Sequence, residues 1–246
     1  MNTPSVAGPL QPAKWGKDHL TEYLAAAHQN RLATFANKRE AVARLIAIDA
    51  CYATAVAGWR NPKPEISALL FIRTLGSFRA SCEAAMAGAV AETFIMIRAM
   101  LEAAGYAAHI GRNPRLAETW LRRHDPDPAA AKAAKDAFTV AAVRKSIQAV
   151  DRSAASRFHR LYNEAIDFGA HPNERGITGN MTDTAIADGV SLELNLLQGD
   201  GTQLDYALIS TARAGLLSLD ILGIVFGARF ELLGLKQCML ALRQGI

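Results

Sequence analysis

The residues most capable of chemistry lie near the middle of the chain, where polar side chains recur at helical spacing. They are Arg160, Glu164, Asp167 and His171, and Pro172 follows them directly. On a helix this spacing places all four side chains along one face, just before the proline ends the helix. An arginine can hold an anion, a histidine titrates near neutral pH, and carboxylates can pair with either. The row is therefore either a solvated face held by ion pairs or one half of a site.

The same row contains donor types that bind metals, because Asp167 and His171 lie one helical turn apart with Glu164 nearby. Helical proteins that bind metals through carboxylates use a Glu-x-x-His pair from each of two helices. No Glu-x-x-His occurs in this sequence, so we expect no metal site. The glycine-rich signatures of hydrolases, dinucleotide-binding proteins and nucleoside triphosphatases are also absent, and we expect no cofactor.

A second polar pair interrupts an apolar helical segment. Arg98 and Glu102 lie one turn apart within the otherwise apolar segment 95–102. Burying an uncompensated charge costs several kcal/mol, so these side chains should pair with each other or with groups from another helix. A structural ion pair and part of a binding site both fit this pattern.

Two segments resemble a group of uncharacterised bacterial helical proteins that share a domain of unknown function. The matching residues are Arg98-Ala99-Met100-Leu101-Glu102, Gly111-Arg112-Asn113-Pro114 and Trp120 within 77–124, and Tyr162 with His171-Pro172-Asn173 within 162–173. Proteins of this group share an Arg-x-x-x-Glu helix and a later Tyr…His-Pro or Tyr…His-Gly segment. The resemblance implies that Arg98, Glu102, Tyr162 and His171 come together in the fold.

A more distant similarity is to HEPN domains, helical bundles that often act as metal-independent RNases. Arg152 and His159, with six residues between them, match the Arg-x(4 to 6)-His motif of these domains. The similarity implies that Arg152 stabilises the charge of the phosphorane and that His159 acts as general acid or base. Ser153 departs from the family pattern, in which a larger polar residue follows the arginine.

Length and composition bound the architecture. The chain has 246 residues, enough for one large helical domain, which we predict at 17–246 after a flexible, proline-containing tail at 1–16. Half of the residues are hydrophobic and a fifth are charged, which is typical of a globular chain. The formal charge of +4 is spread along the sequence and supports only weak, nonspecific attraction to RNA.

The number and spacing of the cysteines indicate the cellular compartment of the protein. Cys51, Cys82 and Cys238 are widely spaced, which argues against a disulfide framework or a zinc site and favours buried thiols in a reducing environment. The first residues also lack the basic start and apolar run of a signal peptide. We therefore predict a cytoplasmic protein.

Apolar residues recur with the helical period over most of the chain. The predicted helices are 17–59, with a kink or a boundary at 28–30; 65–110, as one bent helix or as two helices joined at Gly76 or at 87–89; 114–124; 129–150; 154–169; 207–230; and a weaker one ending at Leu242. The segment 174–188 is predicted to be a loop.

One short segment has the two-residue period of a strand instead. Apolar and polar residues alternate over 190–196, and Gly199-Asp200-Gly201 provides a turn before 203–206. The predicted fold class is therefore all-α, a multi-helix bundle with a small β-hairpin near the C-terminus.

The most apolar stretch, 214–228, is shorter than the about 18 to 20 residues that a membrane helix needs, so we predict a buried core helix and no membrane contact. Arg213 and Asp220 interrupt this region on one helix face, which suggests a buried pair or contact with a partner subunit. The surplus of apolar helix faces, chiefly at 207–230, predicts a homodimer.

Two functions fit these observations. The first is a noncatalytic binding or stress-response protein with a polar pocket for a small polar or anionic ligand, in which the arginine would hold an anion and the histidine would give pH sensitivity. The residues of this pocket are Arg98, Glu102, Tyr162, Asp167 and His171. The alternative is a HEPN-like RNase of the toxin or defence type, which acts through its Arg-x(4 to 6)-His motif.

Overall fold

A computed structural model describes residues 12–172, 174–179, 181–186 and 189–246, and these form twelve α-helices. The helices are α1 (His19–Asn37), α2 (Arg39–Val56), α3 (Glu65–Ala87), α4 (Val90–Arg112), α5 (Arg115–Leu121), α6 (Pro128–Ala137), α7 (Val140–Gln148), α8 (Arg152–Ala165), α9 (Glu174–Thr178), α10 (Thr202–Val225), α11 (Gly227–Leu232) and α12 (Leu235–Leu242). A 3-10 turn (Arg122–His124) follows α5, and a π-helical turn (Ile166–Ala170) follows α8. Two antiparallel strands, β1 (Met181–Ile186) and β2 (Gly189–Leu194), precede α10. The predicted all-α class is confirmed, whereas most of the predicted tail, 1–11, lies outside the described residues.

The small hairpin predicted near the C-terminus is not supported. Its expected return strand, 203–206, is the first turn of α10, which begins at Thr202. Leu204 is buried, so this segment contributes to an apolar helix face, and the helical period prevails over the local alternation. β2 pairs instead with β1, which precedes it. The loop predicted at 174–188 is also wrong, because it contains α9 and β1.

Three of the predicted helices are divided, and one of them, 207–230, breaks at Phe226 between α10 and α11. The first break lies at Lys38 and not at the predicted 28–30, and the Lys38 ammonium reaches two carboxylates beside the start of α10. The segment 129–150 is divided at Thr139, whose hydroxyl accepts a hydrogen bond from the Ala142 N–H at 3.2 Å and so begins α7. A distant pair of carboxylates thus holds the side chain at the first break, whereas a local N-cap forms at Thr139.

α3 and α4 form an antiparallel helical hairpin. The Ser67 hydroxyl, near the start of α3, donates to the carbonyl of Ala107, near the end of α4, at 2.9 Å. Gly88 connects the helices with φ 80°, a left-handed conformation that favours glycine, and its carbonyl accepts a hydrogen bond from the Gln198 N–H at 2.8 Å. The joint predicted around Gly88 is thus confirmed, and α3 continues through the other candidate, Gly76.

Aromatic rings fill the core where α2, α3 and the C-terminal helices meet. Phe71 of α3 is completely buried. The ring centroids of Tyr52, Trp59, Phe226 and Phe230 lie between 5.2 and 6.2 Å from its own. We call these five residues the Phe71 cluster, and it joins three parts of the chain that are distant in sequence.

The apolar helix α10 lies inside the fold. Leu217, Leu219 and Leu222 are among its buried residues, so the predicted core helix is confirmed. By length and composition alone, α10 is also long and apolar enough to cross a membrane, although the shorter stretch 214–228 did not indicate this. Of the most apolar 18-residue segment of α10, 67% is buried inside the fold. Other parts of the chain therefore cover most of the apolar surface of α10. The homodimer stays a prediction, and its interface would have to form at a different surface.

The three cysteines are free thiols, but the prediction that they are buried holds only for Cys51, because Cys82 is half-buried and Cys238 is exposed. Cys51 of α2 is buried, and its Sγ lies 3.2 Å from the Sγ of Cys238 on α12. This contact brings the last helix against the second.

A buried histidine makes the stability of the fold depend on pH. His109 of α4 is 8% exposed; its Nε2–H donates to the Ala137 carbonyl at 3.0 Å, and its Nδ1 accepts from the Ser146 hydroxyl at 2.7 Å. Burial lowers the pKa of His109 below 6.5. Because the folded pKa lies below the unfolded one, the stability contributed by neutral His109 is present above pH 6.5 and is lost as the pH falls.

We therefore expect the free energy of unfolding to fall as the pH drops below 6.5, and to fall less in His109→Gln. Urea unfolding at several pH values measures this dependence. His28→Gln, at an exposed position of α1, is the matched control and should keep the wild-type dependence. An identical pH dependence in His109→Gln would contradict the assignment.

Candidate functional site

Three of the predicted pocket residues converge between α4 and α8. Arg98 and Glu102 pair along α4, with 3.0 Å between Nε and Oε1. Tyr162 of α8 donates its hydroxyl to the same Glu102 oxygen at 2.9 Å. The guanidinium carbon of Arg98 lies 5.4 Å from the centre of the Tyr162 ring, within the range of a cation–π contact. We call these three residues the α4–α8 triad.

The triad also holds the turn that follows α8. Arg98 Nη1 donates to the carbonyl of Ala170, the last residue of the π-helical turn, at 3.1 Å. The side chains of Arg98 and Glu102 are 32% and 37% exposed, so the triad is half-buried and can be reached from solvent. The Arg98 guanidinium thus links a carboxylate of α4, an aromatic ring of α8 and a backbone carbonyl of the π-helical turn.

Local sequence explains why the chain turns at this point. Gly169 has φ 157°, and a Cβ added there would lie 2.7 Å from the Cα of Ala91 on α4 and in contact with the Ala91 carbonyl oxygen. Only a glycine permits this approach of the two backbones. The dihedral angles of Gly169 are not helical, so the turn contains a kink at this residue. This turn fixes the backbone immediately before His171.

The other two predicted pocket residues lie beside the triad but do not join it. Asp167 is in the π-helical turn, and its Oδ2 lies 3.9 Å from Nη1 of Arg175 on α9. His171 is exposed and directly follows Ala170. Within the described part of the chain, no hydrogen bond or ion pair joins Asp167 or His171 to the triad. The structure therefore brings together three of the five residues and positions the remaining two on the adjoining turn.

The polar row at 160–171 does not form the ion pairs expected of a solvated face. Glu164 accepts hydrogen bonds from the hydroxyls of Tyr206 and Ser210 on α10, the latter at 3.3 Å. No ion pair forms between Arg160 and Glu164 in the described structure. Neutral hydroxyl donors of α10 thus bind the Glu164 carboxylate, whereas Asp167 in the same row pairs with Arg175 of α9.

Both tyrosines that bind carboxylates remain protonated over a wide pH range. Burial, and then the Glu102 carboxylate, raise the pKa of Tyr162 to about 12. Burial and the Glu164 carboxylate likewise raise the pKa of Tyr206. Each phenol is therefore a hydrogen-bond donor near neutral pH and is poorly suited to act as a base.

We expect Tyr162→Phe to lower the free energy of unfolding by about 1 kcal/mol, because it removes a donor to a half-exposed carboxylate and keeps the ring beneath the guanidinium. Urea unfolding measures the change. Tyr23→Phe, at a half-buried position of α1 whose hydroxyl makes no hydrogen bond in the described structure, should change it by less than about 0.5 kcal/mol. Equal effects of the two substitutions would show that the Tyr162 hydroxyl contributes nothing specific.

Arg152 and His159 do not contact each other. Both are exposed on α8, two turns apart. Arg152 lines a cleft of about 550 Å³ that also contains Asp220 and Lys236, and His159 is not among the lining residues of that cleft. The Nε2 of His159 instead lies 3.4 Å from the Nδ2 of Asn163.

Sequence reasoning missed an ion-pair network around Asp220. Of the two alternatives predicted for Arg213 and Asp220, the buried pair does not form in the described structure, and contact with a partner subunit stays a prediction. Asp220 binds Arg157 of α8, at 3.0 Å between Oδ2 and Nη2, and Arg243 beyond α12. The charge within an apolar helix did signal a buried partner. Its identity could not be deduced, since both arginines come from elements distant in the sequence.

The described residues contain no group of three or more His, Cys, Asp or Glu side chains that could hold a metal ion. No protein-family model matches the chain, and no curated protein or solved structure is significantly similar to it. The site is therefore interpreted from its own geometry, as a half-buried polar triad at the junction of two helices in an all-α protein.

Proposed function

We propose that this chain is a noncatalytic binding protein that holds a small polar ligand at the α4–α8 triad. The observation that carries the proposal is the Arg98 guanidinium, which contacts Glu102, Tyr162 and the Ala170 carbonyl while about a third of its side chain stays exposed. Its stacking on an aromatic ring and its hydrogen bonds fix its orientation before any ligand arrives, and such preorganisation favours binding.

The charges of the triad favour a particular kind of ligand. The positive charge of Arg98 is matched by the carboxylate of Glu102, so the site is close to neutral. A neutral site with neighbouring donors and acceptors suits an amide, a polyol or a zwitterion better than a strongly charged anion. His171, on the adjoining turn, would make binding sensitive to pH if its imidazole contacts the ligand.

A thermal-shift screen of the full chain tests this function. The probes are free amino acids, primary amides and polyols, each as a pure compound. A compound present at ten times its Kd should raise the Tm by about 4 °C. The shift should disappear in Arg98→Gln.

Arg79→Gln is the matched control, because Arg79 forms a similar pair with Asp49, at 2.8 Å between Nε and Oδ1, on an exposed surface. It should keep every ligand-induced shift. The proposal is wrong if none of the three compound classes shifts the Tm, or if the shifts persist in Arg98→Gln.

The alternative function, a metal-independent RNase, depends on the exposure of Arg152 and His159 along one helix. It predicts hydrolysis of single-stranded RNA in the presence of a chelator and loss of that hydrolysis in His159→Ala. RNA that remains intact with the wild-type chain excludes this function and leaves the binding function unaffected.

A further inference from the structure

A cleft between α8 and α10, bounded by the residues after α12, is lined by four arginines. Arg157 and Arg160 come from α8, Arg213 comes from α10, and Arg243 follows α12. The cleft has a volume of about 190 Å³, and Leu217 is among its apolar lining residues. We call it the arginine cleft; none of the residues of the α4–α8 triad lines it.

The arginine cleft has a strong positive charge. Asp220 is the acid paired with these arginines: its carboxylate binds Arg157, at 3.0 Å between Oδ2 and Nη2, and also Arg243. Four guanidinium groups line the cleft and Asp220 binds only two of them, so positive charge is in excess along its wall. Because like charges repel one another, an anion between them would be stabilising.

Two of the arginines have no acidic partner among the described residues. Arg160 and Arg213 are exposed and form no ion pair there. Glu164, one turn beyond Arg160, is engaged by the Tyr206 hydroxyl and by the Ser210 hydroxyl at 3.3 Å. Their guanidinium groups therefore remain available to a ligand.

The other two arginines are anchored on one side and keep donors unused. The Nη2 groups of Arg157 and Arg243 bind Asp220, whereas the Nε–H groups of both arginines are buried and have no acceptor within the described structure. Buried donors of this kind usually have a partner. Asp220 thus fixes two guanidinium groups at the wall of the cleft.

We propose that the arginine cleft binds a phosphate-type oxyanion, either free or as the charged end of a small phosphorylated compound. Guanidinium groups match phosphate oxygens with two parallel N–H···O bonds, which a lysine cannot reproduce. Its volume of about 190 Å³ is below the range of about 300 to 1,000 Å³ for sites that enclose whole organic ligands. The cleft therefore suits one or two phosphate groups.

Isothermal titration calorimetry of the full chain with inorganic pyrophosphate, at low ionic strength and without other phosphate, tests the proposal. Arg160→Gln and Arg213→Gln should each weaken binding about tenfold or more. Both side chains lack ion pairs in the described structure, so the variants should keep the wild-type circular dichroism spectrum. Arg213→Lys, which keeps the charge but loses the planar fork, should bind more weakly than wild type.

Arg73→Gln is the matched control, because Arg73 is an exposed arginine of α3 outside the cleft. It removes the same charge and should change the Kd by less than about twofold. The proposal is overturned if pyrophosphate does not bind the wild-type chain, or if Arg73→Gln weakens binding as much as the two cleft variants do. Arg98→Gln should leave pyrophosphate binding unchanged, which separates this site from the proposed function.

A nucleoside diphosphate and a single-stranded RNA oligonucleotide identify the source of the oxyanion. Tighter binding of the nucleoside diphosphate than of pyrophosphate identifies a small phosphorylated compound, and equal affinity identifies the free oxyanion; both support the proposal. RNA that binds more tightly than both small phosphates overturns the assignment to a small ligand.

Discussion

A Phe71→Ala variant is expected to lose about 3 to 5 kcal/mol of unfolding free energy. Phe71 is completely buried, and four other aromatic rings lie around it with centroids between 5.2 and 6.2 Å away. The substitution removes the transfer free energy of a whole ring, leaves a cavity and ends four ring contacts. Because domains of this size are stable by only about 5 to 15 kcal/mol, the loss should be visible as a much lower urea midpoint.

Phe35→Ala is the control, because the Phe35 side chain on α1 is 58% exposed. It should change the unfolding free energy by less than about 0.5 kcal/mol. If Phe71→Ala does not fold, Phe71→Leu provides the measurement, with an expected loss of about 1 to 2 kcal/mol. A change below about 0.5 kcal/mol in Phe71→Leu would show that the Phe71 cluster is not part of the core.

A Gly169→Ala variant is expected to lose about 3 kcal/mol and to disturb the candidate site as well. At φ 157° an alanine is strained, and its Cβ would lie 2.7 Å from the Cα of Ala91 and in contact with the Ala91 carbonyl oxygen. Neither obstacle is a flexible side chain, so α4 and the π-helical turn must move apart. This movement would pull the Ala170 carbonyl away from Arg98, and ligand-induced Tm shifts at the triad should disappear.

The matched control for Gly169 is Gly76→Ala. Gly76 lies inside α3, and an added Cβ would meet no atom within 4 Å. Alanine is the better helix former, so this substitution should stabilise the protein by up to about 1 kcal/mol. In urea unfolding, Gly169→Ala should lower the free energy of unfolding and Gly76→Ala should raise it. An increase in both variants would contradict the contact between Gly169 and Ala91.

Much of the helical framework could be predicted from the sequence, because local signals determine it. The predicted helix starts at 65 and 129 lie within one residue of the starts of α3 and α6, because Pro62 and Pro64 break the helical pattern before α3 and Asp127 caps α6 just before Pro128. The break at Lys38 could not be located, since it depends on carboxylates more than 150 residues away. The hairpin prediction failed for a similar reason: burial of Leu204 in the core decides that its segment is helical.

The candidate site was predictable only in part. The pairing of Arg98 with Glu102 follows from their spacing in an apolar helix, and that prediction is confirmed. The association of Tyr162 with them came from a resemblance and could not be derived from periodicity. The arginine cleft gave no sequence signal, because its arginines come from three separate elements and only the fold makes them neighbours.

The late position of α10 has a consequence for synthesis of the chain. The Gly215 carbonyl of α10 accepts a hydrogen bond from the Tyr52 hydroxyl of α2 at 3.0 Å. The Thr211 hydroxyl of α10 lies 3.0 Å from the Ser81 hydroxyl of α3. Helices α2 to α4 leave the ribosome before α10 exists. About 110 residues separate the end of α4 from the end of α10. At a synthesis rate of about 5 to 20 residues per second, we expect α10 to be completed about 6 to 20 s after α4. Over that interval the surfaces of α2, α3 and α4 that α10 later covers stay exposed, and the nascent chain should depend on chaperones until α10 emerges.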